Sequence, residues 1–115
     1  MTNSREKGAS FERQVANKIK EYGYDSRRGQ QYSGANGDAD VVGLPGIHIE
    51  CKAVERLNIH TALKQSENDA RPGEIPIVVH KKNYKPIVVT MLFEDWMKFY
   101  QRWSNEEMRV DRMHE

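Results

Sequence analysis

Asp40, Glu50 and Lys52 are the residues of this 115-residue chain whose types and spacing could do chemistry. Glu50 and Lys52 stand two positions apart in Ile47-His48-Ile49-Glu50-Cys51-Lys52, a run that reads as a strand, so both side chains point to one face. Asp40 opens the preceding run, Asp40-Val41-Val42-Gly43-Leu44, and Pro45-Gly46 separates the two. Ions inside an apolar sheet are costly unless something neutralises them. Carboxylates converging on a divalent cation such as Mg²⁺ are neutralised by it and leave coordination positions for water and phosphate.

Hairpin register decides whether Asp40 joins the other two, because only directly opposed residues of an antiparallel pair share a face. A two-residue Pro45-Gly46 loop would pair Asp40 with Cys51 and put Asp40 and Glu50 on opposite faces. A three-residue loop, Leu44-Pro45-Gly46, pairs Gly43 with Ile47 and Asp40 with Glu50, with Gly46 free to take the left-handed conformation. The odd-length loop, or a bulge of the same effect, is therefore expected. In a type I turn it would place Pro45 where proline is disfavoured.

The elements that must position these residues follow from periodicity. Phe11, Val15, Ile19 and Tyr22 recur at helical spacing over 10–22, with Lys18 and Lys20 in the last turn and Gly23 as a stop. A short strand is expected over 24–28, and the glycine-rich stretch 29–37 reads as a loop. A second helix starts after Asn58, a good cap, turns Ile59, Ala62, Leu63, Ser66 and Ala70 inward, and ends at Pro72-Gly73. Residues 75–80 and 87–92 read as two buried strands, and a last helix gathers Trp96, Met97, Tyr100 and Trp103 on one side. The expected fold is α/β: one domain with a mixed central sheet flanked by helices, in the order α-β-β-β-α-β-β-α. Residues 1–104 form this domain, and the charged segment 105–115 reads as a tail or frayed helix.

Composition narrows the classes. With 18 basic and 17 acidic residues the net charge is +1, so no global field draws the chain to a polyanion, and any nucleic-acid contact must use a local basic face. Cys51 is the sole cysteine, which excludes an internal disulfide framework and a cysteine zinc cluster and suits a reducing compartment. No apolar run is long enough to span a membrane and no signal-peptide core is present, so a soluble, cytoplasmic protein is expected.

Asp40 followed by Glu50-Cys51-Lys52 on the next strand resembles the PD-(D/E)XK nuclease signature, with Ala39 at its proline position. Together with Phe11-Glu12-Arg13 on the first helix, Arg27-Arg28, Ser33-Gly34 and Asp40-Val41-Val42, it resembles the archaeal-type Holliday-junction resolvases and small phage-encoded relatives. The match spans the first half of the chain; the rest agrees in element order. The resemblance implies a restriction-endonuclease-like core and a Mg²⁺-dependent endonuclease acting on DNA, most directly branched DNA, as a homodimer, in the host-cell cytoplasm if phage-encoded. Asp40, Glu50 and the Cys51 backbone carbonyl would hold Mg²⁺ or Mn²⁺, with Asp38 a rival to Asp40. Glu12 would assist a second ion or its waters, Lys52 would orient the attacking water, and Ser33 would contact the scissile phosphate or a metal-bound water. Arg27 and Arg28 would grip the backbone, with Lys81, Lys82 and Lys85 extending the basic surface. Gln65 would be a polar helper.

Plainer readings exist for several of these. Glu12 flanks an apolar stripe as surface residues do, Ser33 suits a turn, and Arg27-Arg28 suits a solvated strand end. His48 shares the face of Glu50 and Lys52 and is read as a hydrogen-bonded structural histidine, as are His60 and His80. The aromatic set Trp96, Phe99, Tyr100 and Trp103 reads as core or dimer interface in preference to a base-stacking platform. Flap, single-stranded or duplex DNA are alternative substrates, and a non-catalytic DNA-binding accessory is the alternative class. No helix-turn-helix pattern supports a transcription regulator.

Overall fold

A computed structural model of the chain describes residues 4–30 and 39–113. Its elements are α1 (Ser4–Lys20), β1 (Arg27–Arg28), β2 (Val41–Val42), β3 (Ile47–Ala53), α2 (Ile59–Asp69), β4 (Ile75–Lys81), β5 (Val88–Met91) and α3 (Phe93–Met113). The strands form one sheet in the order β1-β2-β3-β4-β5. Only β3 and β4 run parallel, because α2 carries the chain back between them; the other neighbours are antiparallel. This is the mixed α/β domain expected.

Strand β3 divides its residues between two layers. Ile49 and Cys51 face α1, where they join Phe11, Val15, Ala16, Val41 and Val79 in the main core. On the other face Ala62 and Leu63 of α2 pack over Val78, with Leu57, Ile59 and Leu92 around them. The Asn58 side chain accepts from the Thr61 amide (3.1 Å) as the cap of α2, and Ser66, fully buried, donates to the Ile77 carbonyl (3.0 Å).

The hairpin has the odd-length register. Val41 lies opposite Ile49, the pairing that sets Gly43 against Ile47; before Val41 the ladder is offset, since the Asp40 amide also bonds the Ile49 carbonyl. The Ile47 amide donates to the Leu44 carbonyl (3.0 Å), closing a turn with Pro45 second and Gly46 third at φ +88°. Those are the places a type II turn gives to proline and glycine, so Pro45 escapes the type I conflict. Gly43, at φ +123°, ends β2 early: an added Cβ would collide with the Ser26 Cα and the Asp25 carbonyl, so only glycine lets this loop approach. The strand expected over 40–44 is accordingly reduced to Val41–Val42.

Three other expectations are corrected. Helix α1 starts at Ser4 and ends at Lys20, before the turn at 21–23, so Tyr22 falls outside the inward stripe and is exposed. The strand expected over 24–28 is confined to Arg27–Arg28. Strand β5 is not buried: as the last strand of the sheet it has one edge unpaired among the described residues, and Val88 and Val89 are exposed. The α3 helix continues from Phe93 through the charged segment to Met113. Ser33, Gly34, Asp38 and most of the loop expected over 29–37 lie outside the described residues.

Candidate active site

Asp40 is held by its backbone on both sides. Its amide donates to the Ile49 carbonyl (3.0 Å) and its carbonyl accepts from the Gly29 amide (2.9 Å), tying it to β3 and to the residue after β1. Its Oδ2 accepts from the Cys51 amide (2.8 Å). The site thus uses the backbone of Cys51, while the thiol of that residue faces the core, where burial pushes it well above the usual thiol range.

Asp40 and Glu50 share a hydrogen bond between their side chains, which requires one proton for two carboxyl groups. Burial chiefly, and then the charges of Glu50 and Glu12, push Asp40 up from its ordinary 3.8 to about 7 against the opposing Cys51 amide. Burial also acts to raise Glu50, but hydrogen bonds from His48 and Asp40 and the nearby Lys52 charge outweigh it and hold Glu50 below the usual range. The shared proton therefore belongs to Asp40.

Glu12 approaches from α1 and ion-pairs with Arg28 Nε at 3.2 Å. It stands near enough to raise both Asp40 and the Cys51 thiol. Lys52, half-buried, follows Glu50 on the same strand face. The helix, the hairpin and β1 thus bring Glu12, Arg28, Asp40, Glu50 and Lys52 together from four segments.

On the far side of Glu50, the buried His48 bonds through Nε2 to Glu50 Oε1 (2.9 Å), and its Nδ1 lies 3.9 Å from Glu74 Oε1. The hydrogen bond with Glu50 raises His48 above its ordinary value against the effect of burial, aided by the charges of Glu50, Glu74 and Asp69. Ligand atoms of His48, Glu50 and Asp69 lie within 4.8 Å of one another, a second grouping with metal-ligating geometry that sequence spacing did not reveal, because Asp69 comes from the end of α2. The two groupings compete for Glu50. The Asp40 side offers carboxylate oxygens only, whereas the other grouping includes a His48 ring that is already bonded to Glu50.

The outlying candidates are more dispersed. Arg27 is exposed on β1. Lys81 and Lys82 line an open cleft of about 340 Å³ together with Lys7, Ser10 and Gln14 of α1, beyond the end of β3. Lys85 is exposed in the turn before β5. Gln65 is exposed on α2, one turn before Asp69, in a shallow groove with Thr61 and Lys64. His80 bonds Thr90 Oγ1 (2.8 Å) within the sheet, as a structural histidine does.

A family model described as "Phage putative PDDEXK endonuclease" matches residues 3–114, almost the whole chain. Among solved structures, a Holliday junction resolvase, Hjc of Archaeoglobus fulgidus, an archaeal hyperthermophile, is similar in fold at a TM-score of 0.55. It is 22% identical over 74% of this chain and 72% of that one. None of the curated proteins matches the chain.

Proposed function

The chain belongs to the phage PD-(D/E)XK endonuclease family, and we propose that it is a Mg²⁺- or Mn²⁺-dependent endodeoxyribonuclease that cuts branched DNA, working as a homodimer in the cytoplasm. The observation that carries this reading is the Asp40–Glu50 carboxyl pair, whose side chains meet across the hairpin with Lys52 two positions on. A fold has little use for two carboxyl groups forced to share a proton, whereas a divalent cation replaces that proton and satisfies both.

Asp40 and Glu50 would hold the ion, with the Cys51 carbonyl as a further oxygen donor and Glu12 alongside. When bound, such an ion polarises the phosphoryl oxygens and lowers the pKa of a water. Lys52 would orient the attacking water and balance the charge growing on the phosphate, and by the family resemblance Ser33 would contact that phosphate or a metal-bound water. Glu12 is kept in place by Arg28, which also offers its remaining donors to the DNA backbone beside Arg27. Lys81, Lys82 and Lys85 extend the phosphate contact, and Gln65 assists from α2. The choice of branched DNA, over flaps, single strands or duplex, rests on the resemblance to the archaeal resolvases; that of a homodimer rests on the need for two symmetric cuts in a four-way junction.

The test is cleavage of a labelled four-way junction beside linear duplex, flap and single-stranded controls, in Mg²⁺ and in EDTA, with Asp40→Asn and Lys52→Ala. Paired, metal-dependent nicks confined to the junction and lost in both variants are expected. Cutting of a control instead would keep the site and replace the substrate. No cutting of any DNA would leave a binding accessory as the better reading.

A further inference from the structure

The C-terminal helix carries a feature that the catalytic reading does not use. Phe93, Trp96, Tyr100 and Trp103 stand at three- and four-residue intervals along α3 with ring centroids 6.5, 5.6 and 5.8 Å apart, the first two pairs stacked and Tyr100–Trp103 tilted. All four are exposed, Phe93 at 69% and Trp103 at 59%, and Phe99 beside them is exposed too. Among the described residues α3 makes only marginal contact with other elements beyond its root. The radius of gyration is 16.1 Å, against about 13 Å for a compact chain of this length. A contiguous aromatic stripe on a projecting helix is a surface built to be covered.

We infer that α3 is the principal interface between two copies of this chain, each aromatic stripe covering the other's. The area favours that occupant. Five aromatic side chains, each about half exposed, offer on the order of 500 Å² per copy, so two copies together bury about 1,000 Å², the lower bound for a specific dimer. The edge strand β5, unpaired on one side among the described residues and with Val88 and Val89 exposed just before α3, extends the apolar surface at the root of the helix. The inference deepens the homodimer in the proposed function by assigning its surface, and it needs neither metal nor DNA.

The experiment is the solution mass of the wild type in EDTA, without DNA, across a micromolar dilution series, read alongside tryptophan emission. Trp96 and Trp103 are the chain's two tryptophans, so the emission reports on the stripe alone. The mass should rise from 13.4 kDa towards twice that value as emission shifts to the blue over the same range. Tyr100→Glu with Trp103→Glu should hold the mass at the monomer value at every concentration while the circular dichroism stays native. A wild type that remains monomeric overturns the inference, as does a dimer that survives the double substitution, or emission that shifts only when a single-stranded oligonucleotide is added. Should the variant fail to fold, coincidence of mass and emission in the wild type decides. A dimer that cleaves no DNA overturns the catalytic reading alone, and a monomer that cleaves overturns the interface alone.

Discussion

Arg28 Nε sits 3.2 Å from Glu12 Oε1, so β1 and α1 are tied together by the carboxylate that also presses on Asp40. Exposed ion pairs contribute at most about 1 kcal/mol, and Arg28 is nearly half exposed, so this one matters more for where it holds Glu12 than for stability. Arg28→Ala should leave the melting temperature almost unchanged while lowering kcat/KM for DNA cleavage roughly tenfold, a barrier change of about 1.4 kcal/mol. Unchanged cleavage would show that Glu12 needs no such restraint.

The shared proton gives the metal-free protein a pH dependence. Asp40 titrates near 7 in the fold against an ordinary 3.8, so the folded state binds the proton more tightly across that window and stability falls as pH rises through it. Above the window the cost of the charged carboxylate is fully present. Asp40→Asn should therefore melt several degrees higher than the wild type at pH 8 in EDTA, with the difference vanishing near pH 4. Mg²⁺ should stabilise the wild type at pH 8 and not the variant. A variant less stable than wild type at pH 8 in EDTA would contradict the account.

Gly43 meets two constraints at once, a φ of +123° and a Cβ collision with backbone at Asp25 and Ser26. Gly43→Ala should cost roughly 2 kcal/mol or more, measured by urea unfolding. Gly46→Ala meets a positive φ but open space, and should cost about 1 kcal/mol. Equal losses would mean that the close approach of the two loops is not limiting.

Asn58 caps α2 through its side-chain oxygen, so Asn58→Ala should lose about 1 kcal/mol. Asn58→Gly, which keeps the extended backbone accessible, should lose only a few tenths. Chemical denaturation of the two variants checks the order.

What could be read from sequence was local. The Val41–Ile49 register followed from one loop of fixed parity, and α2 was bounded by Asn58 and Pro72-Gly73 because caps and breakers act within a turn of themselves. What escaped depended on packing. Tyr22 kept the helical period but fell past the last turn, and the apolar run of β5 could not announce that it would end the sheet among the described residues. The neighbours of Glu50 beyond the strand, Asp69 and Glu74, come from the end of α2 and the segment after it, brought back by a crossover that no spacing rule reveals. Likewise Arg28 and Glu12, sixteen residues apart, carried no mark of their pairing.

Strand β3 alternates strictly, with His48, Glu50 and Lys52 on one side and Ile49 and Cys51 on the other. A slip of one residue would press Glu50 and Lys52 against Phe11 and turn Ile49 out of the core. The alignment that assembles the carboxyl pair is thus also the one that closes the apolar interior. A hairpin misaligned by one residue gives up core burial along with the carboxyl pair, so the same packing that stabilises the fold also guards that alignment.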